Sequence, residues 1–156
     1  MSFDVLFFEV RGRRCALPVA VVREVLATPA VTPVPLTPPL LRGLVPVRGQ
    51  VLPLLDVGTQ LGASGGDPMD AARFLVTEQD RIVVVETSSQ PASRLAFAAS
   101  RISRLGSIHE GHARRPPPQP RFVSATVFDV EGPALLLDAT LALETLRLHL
   151  HRRGAS

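Results

Sequence analysis

Arg42-Gly43-Leu44-Val45-Pro46-Val47-Arg48-Gly49-Gln50-Val51-Leu52-Pro53-Leu54-Leu55-Asp56 is the stretch on which the fold turns. Two short apolar runs, Leu44–Val47 and Gln50–Val57, flank the dipeptide Arg48-Gly49. Glycine supplies the positive φ that a tight turn demands, so the stretch reads as a compact β-hairpin.

The same grammar extends in both directions. Val5–Val10 and Arg13–Leu17 read as strands around Arg11-Gly12. Pro18 suits a first helical position, and Val21/Val22 with Val25/Leu26 at i, i+4 spacing predict a short helix through about Leu26. Pro29, Pro33, Pro35, Pro38 and Pro39 then make an extended connection able to host at most an edge strand. Downstream, Gly58–Asp70 is a Gly/Ser/Asp-rich connector. Ala71–Thr77 and Arg81–Glu86 form a strand pair, and Arg94–Ala99 is a strand continuing towards Leu105. Gly106–Pro120 reads as a loop, Phe122–Asp129 and Pro133–Leu137 as a hairpin around Glu131-Gly132. Asp138 is a good N-cap for a closing helix that runs to Arg152-Arg153-Gly154. Nine or ten short strands with two minor helices argue for β-barrels rather than a βαβ sheet. No internal repeat or sustained heptad stands out.

The 156 residues, 46% of them hydrophobic, suffice for one ordinary domain or two small lobes sharing a core. Cys15 stands alone, which removes a disulfide framework and points to a reducing cytoplasm. No apolar run approaches the roughly 20 residues that span a bilayer, so no direct membrane insertion is expected. The first residues carry Asp4 and Glu9 in a β-like pattern, with no basic n-region, so no signal peptide is expected. All 17 basic residues are arginines, and the net charge is only +3. Neither a dense basic stripe nor Trp or Tyr for base stacking is present, which argues against a nucleic-acid partner.

With these pieces in order, the chain resembles the CheW-like family of bacterial chemotaxis coupling proteins. Gly43, the apolar pair Leu44-Val45, Pro46 at a position usually polar, Val47 and Arg48-Gly49 lead into an apolar strand with Pro53 and Asp56, as in the family signature. Phe8–Leu17 followed by Val22-Arg23-Glu24-Val25 is similar to its opening hairpin and short helix, and Phe74–Glu86 to its next hairpin. Phe122–Leu137 with the closing helix resembles its end, so the likeness spans about Phe3 to Leu148.

The resemblance implies an all-β fold with minor helices: two five-stranded SH3-like β-barrels on a shared hydrophobic core, a short helix near the N-terminus and a C-terminal helix. Residues 1–150 would form a single domain of two lobes, and 151–156 a tail. It implies a non-catalytic cytoplasmic adaptor, recruited to receptor arrays, without cofactor or metal. Its partners would be a chemoreceptor cytoplasmic tip, the regulatory domain of a CheA-type histidine kinase, and other CheW-like proteins. The partner-binding set carried over is Val22, Glu24, Gly43, Pro46, Arg48, Gly49, Ser100 and Ile102. Pro46 replaces a residue often Asn, Ala96 a glycine, and Ser100 an acidic residue. These departures keep open a second reading, a divergent module that docks a motility or polarity regulator without kinase coupling.

Each residue also has a plainer reading. Arg48 could be a solvated turn arginine, Glu24 a solvated helix charge, and Val22 a core residue. Gly43 and Gly49 read as backbone-geometry positions. Gly62-Ala63-Ser64-Gly65-Gly66 matches G-x-S-x-G, but Asp67-Pro68 follows where a nucleophile elbow needs a helix, so a Ser64 hydrolase is disfavoured against a linker. His109-Glu110-Gly111-His112 lacks a nearby third ligand for zinc. Cys15 reads as a small core hydrophobe. Leu141, Leu143, Leu146, Leu148 and Leu150 exceed what one packed helix stripe uses.

Overall fold

Two hairpins are pinned by two-residue Arg-Gly turns. In a computed structural model describing residues 1–61, 79–115 and 120–154, β1 (Ser2–Val10) and β2 (Arg13–Pro18) meet at Arg11-Gly12. Strands β4 (Leu41–Val47) and β5 (Gln50–Leu55) meet at Arg48-Gly49. Arg11 and Arg48 have φ of 51° and 47°, and the glycines after them 80° and 79°. Positive φ at both central residues is the mirror-image turn whose twist matches antiparallel strands.

The remaining elements are β3 (Val22–Ala27), β6 (Arg81–Glu86), β7 (Arg94–Ala99), β8 (Arg101–His109), β9 (Ala113–Arg114), β10 (Val123–Asp129), β11 (Gly132–Leu137) and helix α1 (Ala139–Gly154). They form two sheets, ordered β8-β1-β2-β11-β10-β9 and β3-β6-β7-β5-β4. Each closes by the same device. After β8 a 3₁₀ turn at Glu110–His112 redirects the chain into β9, which pairs with β10 at the opposite edge. After β3 the chain reaches Thr32, which exchanges backbone bonds of 2.9 and 2.8 Å with Leu44 of β4. The outcome is the expected pair of SH3-like barrels.

The central strands of both sheets are buried on both faces, whereas β3, β8 and β10 keep exposed positions, and side-chain alternation sorts the buried residues. Val5, Phe7, Ala16, Val127 and Leu136 fill the first barrel; Val45, Leu54, Ile82, Val84 and Ala96 fill the second. The intervening residues, Leu6, Phe8, Leu17, Val83, Val85, Leu95 and Phe97 among them, meet in a third cluster shared by both barrels. Helix α1 seals this cluster with Ala139, Ala142, Leu143 and Leu146, spaced i, i+3, i+4, i+7. Asp138 caps it, accepting from the Leu141 amide at 2.9 Å. Leu148 lies off that stripe and Leu150 continues it one turn beyond Leu146; both are exposed.

Three expectations need correction. The helix predicted through Leu26 is a 3₁₀ turn, Val19–Val21, followed by β3. Val22, Glu24 and Leu26 alternate half-buried with exposed neighbours, β6 offers a ladder, and β-branched valines favour a strand. The strand expected from Arg94 towards Leu105 breaks at Ser100, where the chain leaves one barrel for the other. The loop expected from Gly106 is β8 as far as His109, then β9. The strand Ala71–Thr77 and Ser64 lie outside the described residues.

Register uncovers an internal repeat not evident in the residues. In the first barrel Phe7 pairs with Arg104 and Ala16, Ala16 with Leu136, and Leu136 with Ala125; Thr126 pairs with Arg114. In the second, Val84 pairs with Glu24 and Ala96, Ala96 with Leu54, and Leu54 with Gly43; Leu44 bridges Thr32. The bulges coincide too: Phe8 opposite Ile102 matches Val85 opposite Val22. The second barrel uses β3 to β7 in chain order, whereas the first is split, β8 to β11 being completed by β1 and β2 from the other end.

Gly43 marks where the second closure is tightest: a Cβ there would lie 2.6 Å from both the Thr32 carbonyl oxygen and Val31 Cγ1. Gly43→Ala is expected to cost about 1–3 kcal/mol by overpacking; urea denaturation measures it, against Gly12→Ala as the turn control with open space at its Cβ.

Candidate partner-binding surface

Glu24 and Arg48, residues from distant parts of the sequence, are joined directly. Arg48 Nε donates to Glu24 Oε2 at 2.7 Å and Oε1 at 3.1 Å. β3 carries the carboxylate and the β4–β5 turn the guanidinium, brought together because the barrel closes between its edge strands. Arg48 is 72% exposed and Glu24 22%. The hydrogen bond to Glu24 raises the Arg48 pKa above its ordinary value. Such an exposed pair adds little stability and opens readily. Also exposed are Val25, which follows Glu24 on β3, and the cross-strand pair Pro46–Val51, one step from the Arg48-Gly49 turn.

Pro46 faces Val51 one step from the turn-closing pair Val47–Gln50. In a two-residue hairpin that is a non-hydrogen-bonded position, so the proline nitrogen points away from β5 and no ladder bond is lost. It leaves the outer edge of β4 without a donor beyond Leu44, which blunts that edge.

The other candidate positions each make a contact within the fold. Gly49 completes the turn, and Gly43 admits the Thr32 backbone. Val22 and Ile102, equivalent by register, are half-buried against the shared core. Ser100 directs both its amide (2.9 Å) and its hydroxyl (3.0 Å) at the Glu9 carbonyl, fixing the crossing between barrels.

Two charged assemblies are not evident from the sequence. Arg11, on the β1–β2 turn, bonds buried Asp56 at 2.7 Å, and Asp56 also accepts from Gly58 N at 3.2 Å. This ties one barrel to the other. At the far end of the first barrel, Arg14 grips Asp129 with two bonds of 2.7 Å and reaches Glu131 at 3.1 Å. Arg104 also bonds Asp129. Both guanidiniums lie over the buried Phe7 ring, 4.3 and 5.0 Å from its centroid. The Arg14 hydrogen bond holds the Asp129 carboxyl down at about 2. The only sequence signal was alternation placing Arg14 on one face of β2, opposite the acidic turn after Asp129. An open cavity of about 560 Å³ adjoins this cluster, lined by Arg104, Ser107, His112, Phe128, Asp129 and Val130.

His109 and His112 meet edge to face, 5.9 Å between ring centroids. Among the described residues no group of three or more His, Cys, Asp and Glu is gathered that could hold a metal. Cys15 is buried, and that burial pushes its thiol up to about 12. Among the described residues no helix is long and apolar enough to cross a membrane.

A family model described as a CheW-like domain matches residues 4–146. The chemotaxis protein CheW of Rhizobium meliloti (strain 1021) is 27% identical over 99 residues, 64% of this chain. The match spans about three-fifths, 59%, of that curated relative. Among solved structures, the scaffolding protein TtCheW from Thermoanaerobacter tengcongensis aligns with a TM-score of 0.74 at 19% identity, covering 92% of this chain and 94% of that one, a likeness of fold.

Two measurements probe the electrostatics. Asp129 has a folded pKa of about 2, below its ordinary 3.8, so its stabilisation is complete above about pH 4 and lost as pH falls towards 2. Asp129→Asn is expected to lower Tm at pH 7 and to flatten the loss of Tm between pH 4 and 2. The Cys15 thiol is expected to resist a thiol-labelling reagent at pH 8 in the folded protein and to react fully in denaturant.

Proposed function

The chain belongs to the CheW-like domain family, and from that premise we propose that it is a non-catalytic adaptor of a chemotaxis-type pathway. It couples the tip of a chemoreceptor helical hairpin to the regulatory domain of a CheA-type histidine kinase, working in the cytoplasm at receptor arrays. The observation that carries this reading is the exposed Glu24–Arg48 pair, which ties β3 to the β4–β5 turn on elements that also expose Val25, Pro46 and Val51.

An adaptor must hold two partners at a constant separation. The shared core and the Arg11–Asp56 bridge supply that stiffness. It must also have contacts that exchange. The Arg48 guanidinium is a planar fork suited to a carboxylate, and its bond to Glu24 is cheap to trade for one to a partner. Glu24, once released, is available to a cation on the same partner. An amphipathic helical hairpin provides both elements, an apolar face for Val25 and Val51 and charged flanks for the pair.

The blunted edge at Pro46 supports a second reading, in which the surface docks a motility or polarity regulator without kinase coupling. A partner that adds a strand to β4 gains nothing there, so recognition depends on side chains.

Co-elution of the chain with a receptor cytoplasmic hairpin and a kinase regulatory domain from its own organism tests the first reading. Glu24→Arg and Arg48→Glu are each expected to weaken receptor binding roughly tenfold, with unchanged thermal melting. Retention of the receptor without the kinase would favour the second reading, and failure to bind either would refute the first.

A further inference from the structure

Helix α1 outruns the core that it seals. Among the described residues Leu146 is its last buried side chain, yet the helix continues for roughly two further turns to Gly154. Over that stretch a second face, Thr145, Leu148, His149 and Arg152 at i, i+3, i+4 and i+7, lines a cleft of about 240 Å³. The rest of the lining comes from both barrels. Gln60 follows the 3₁₀ turn Val57–Thr59 that ends β5, and Pro120 and Arg121 precede β10.

The charge of this cleft is one-sided. Arg121, His149 and Arg152 line it, and among the described residues no carboxylate does. Nor is any of the three in an ion pair among the described residues, whereas Arg11, Arg14, Arg23, Arg48 and Arg104 each hold an acid. The helix macrodipole favours a cation near the C-terminal end of α1, which accounts for Arg152. It does not account for Arg121, which a separate element brings to the same cleft against the repulsion of like charges. An anion between them removes that conflict.

The lining also selects the class of anion. A guanidinium is a planar fork that pairs with a carboxylate or a phosphate. A carboxylate offers two coplanar oxygens, whereas a phosphate directs oxygens three ways. Here Gln60, Arg121 and the helical pair His149 and Arg152 approach from three elements. Pro120 and Leu148, the latter 49% exposed, add an apolar wall that a bare phosphate ion leaves unused.

We propose that this cleft binds a small phosphate monoester. Arg121, His149 and Arg152, with Gln60, hold the phosphoryl oxygens, and the carbon portion lies against Pro120 and Leu148. The bound ester links α1 to both barrels and so stabilises the folded chain. The cleft shares no residue with the Glu24–Arg48 surface, and its ligand needs neither a receptor nor a kinase.

Isothermal titration of the full chain with phenyl phosphate is expected to show one site, and Tm is expected to rise with ligand concentration. Inorganic phosphate is expected to bind more weakly, and succinate, a dicarboxylate, more weakly still. Arg121→Gln and Arg152→Gln are each expected to weaken phenyl phosphate binding roughly tenfold or more. Arg147→Gln removes a cation from the same stretch of helix but outside the cleft, and is expected to leave binding unchanged. Matching circular dichroism spectra and ligand-free melting curves establish that the variants are folded. Absence of binding, an equal response to succinate, or an Arg147→Gln loss as large as those of the cleft variants would each overturn the proposal. Inorganic phosphate binding as tightly as phenyl phosphate would overturn the assignment to an ester.

Discussion

Everything in this molecule depends on two sheets that each have two faces to bury. A small barrel solves half of that problem by filling its own interior, and Phe7 and Val84 sit in those interiors. The other half is solved only by the second barrel and helix α1. Phe8, Phe97 and Leu17, fully buried in the cluster between them, would otherwise be presented to water. At roughly 1.5–3 kcal/mol for each large side chain withdrawn from solvent, separating the barrels would be far costlier than any surface ion pair described above. The barrels therefore form one rigid body, with a constant spacing between their outer surfaces.

Within that body the repeat separates what folding requires from what is free to vary. Interior positions match in character, Ala16 with Ala96 and Leu136 with Leu54, and the partly buried Ile102 matches Val22. Positions facing out at the barrel ends do not match: Arg104 stands for Glu24 and Val130 for Arg48. Core packing tolerates little change in volume, whereas an exposed end accepts either sign of charge at small cost. The two ends have thus become chemically opposite on one backbone plan.

Much of the fold is legible in the residues because strands buried on both faces appear as short apolar runs, such as Ile82–Val85, and because Arg-Gly dipeptides mark both turns. The helix expected through Leu26 fails for a physical reason. Val21, Val22, Val25 and Leu26 satisfy an i, i+4 pattern, yet the same segment alternates Val22, Glu24, Leu26, and the waiting edge of β6 decides between them. The repeat stays hidden because equivalence lies in register rather than residue identity, and because the first barrel is assembled from both ends of the chain. At the candidate surface Glu24 and Arg48 could be named one by one, but their bond could not: it crosses a closure between strands at opposite ends of one sheet. The Arg14–Asp129–Arg104 cluster is likewise a product of closure, drawing on three separate strands.

Arg11 and Arg48 show how depth rather than sequence assigns a role. Both open an Arg-Gly turn with nearly the same φ, and both guanidiniums bond a carboxylate at 2.7 Å. Arg11 is only 18% exposed and its partner Asp56 3%, since the β1–β2 turn packs over Gly58, where a Cβ would approach Val10 Cγ1 to 2.9 Å. Removing one member of such a bridge strands a charge in a medium that solvates it poorly, so the pair acts as a fixed strut. Arg48 has water on most sides, and water or a partner's carboxylate can replace Glu24 with little loss. Depth thus makes the first arginine a strut that sets the distance between the barrels and leaves the second an exposed contact that exchanges at little cost.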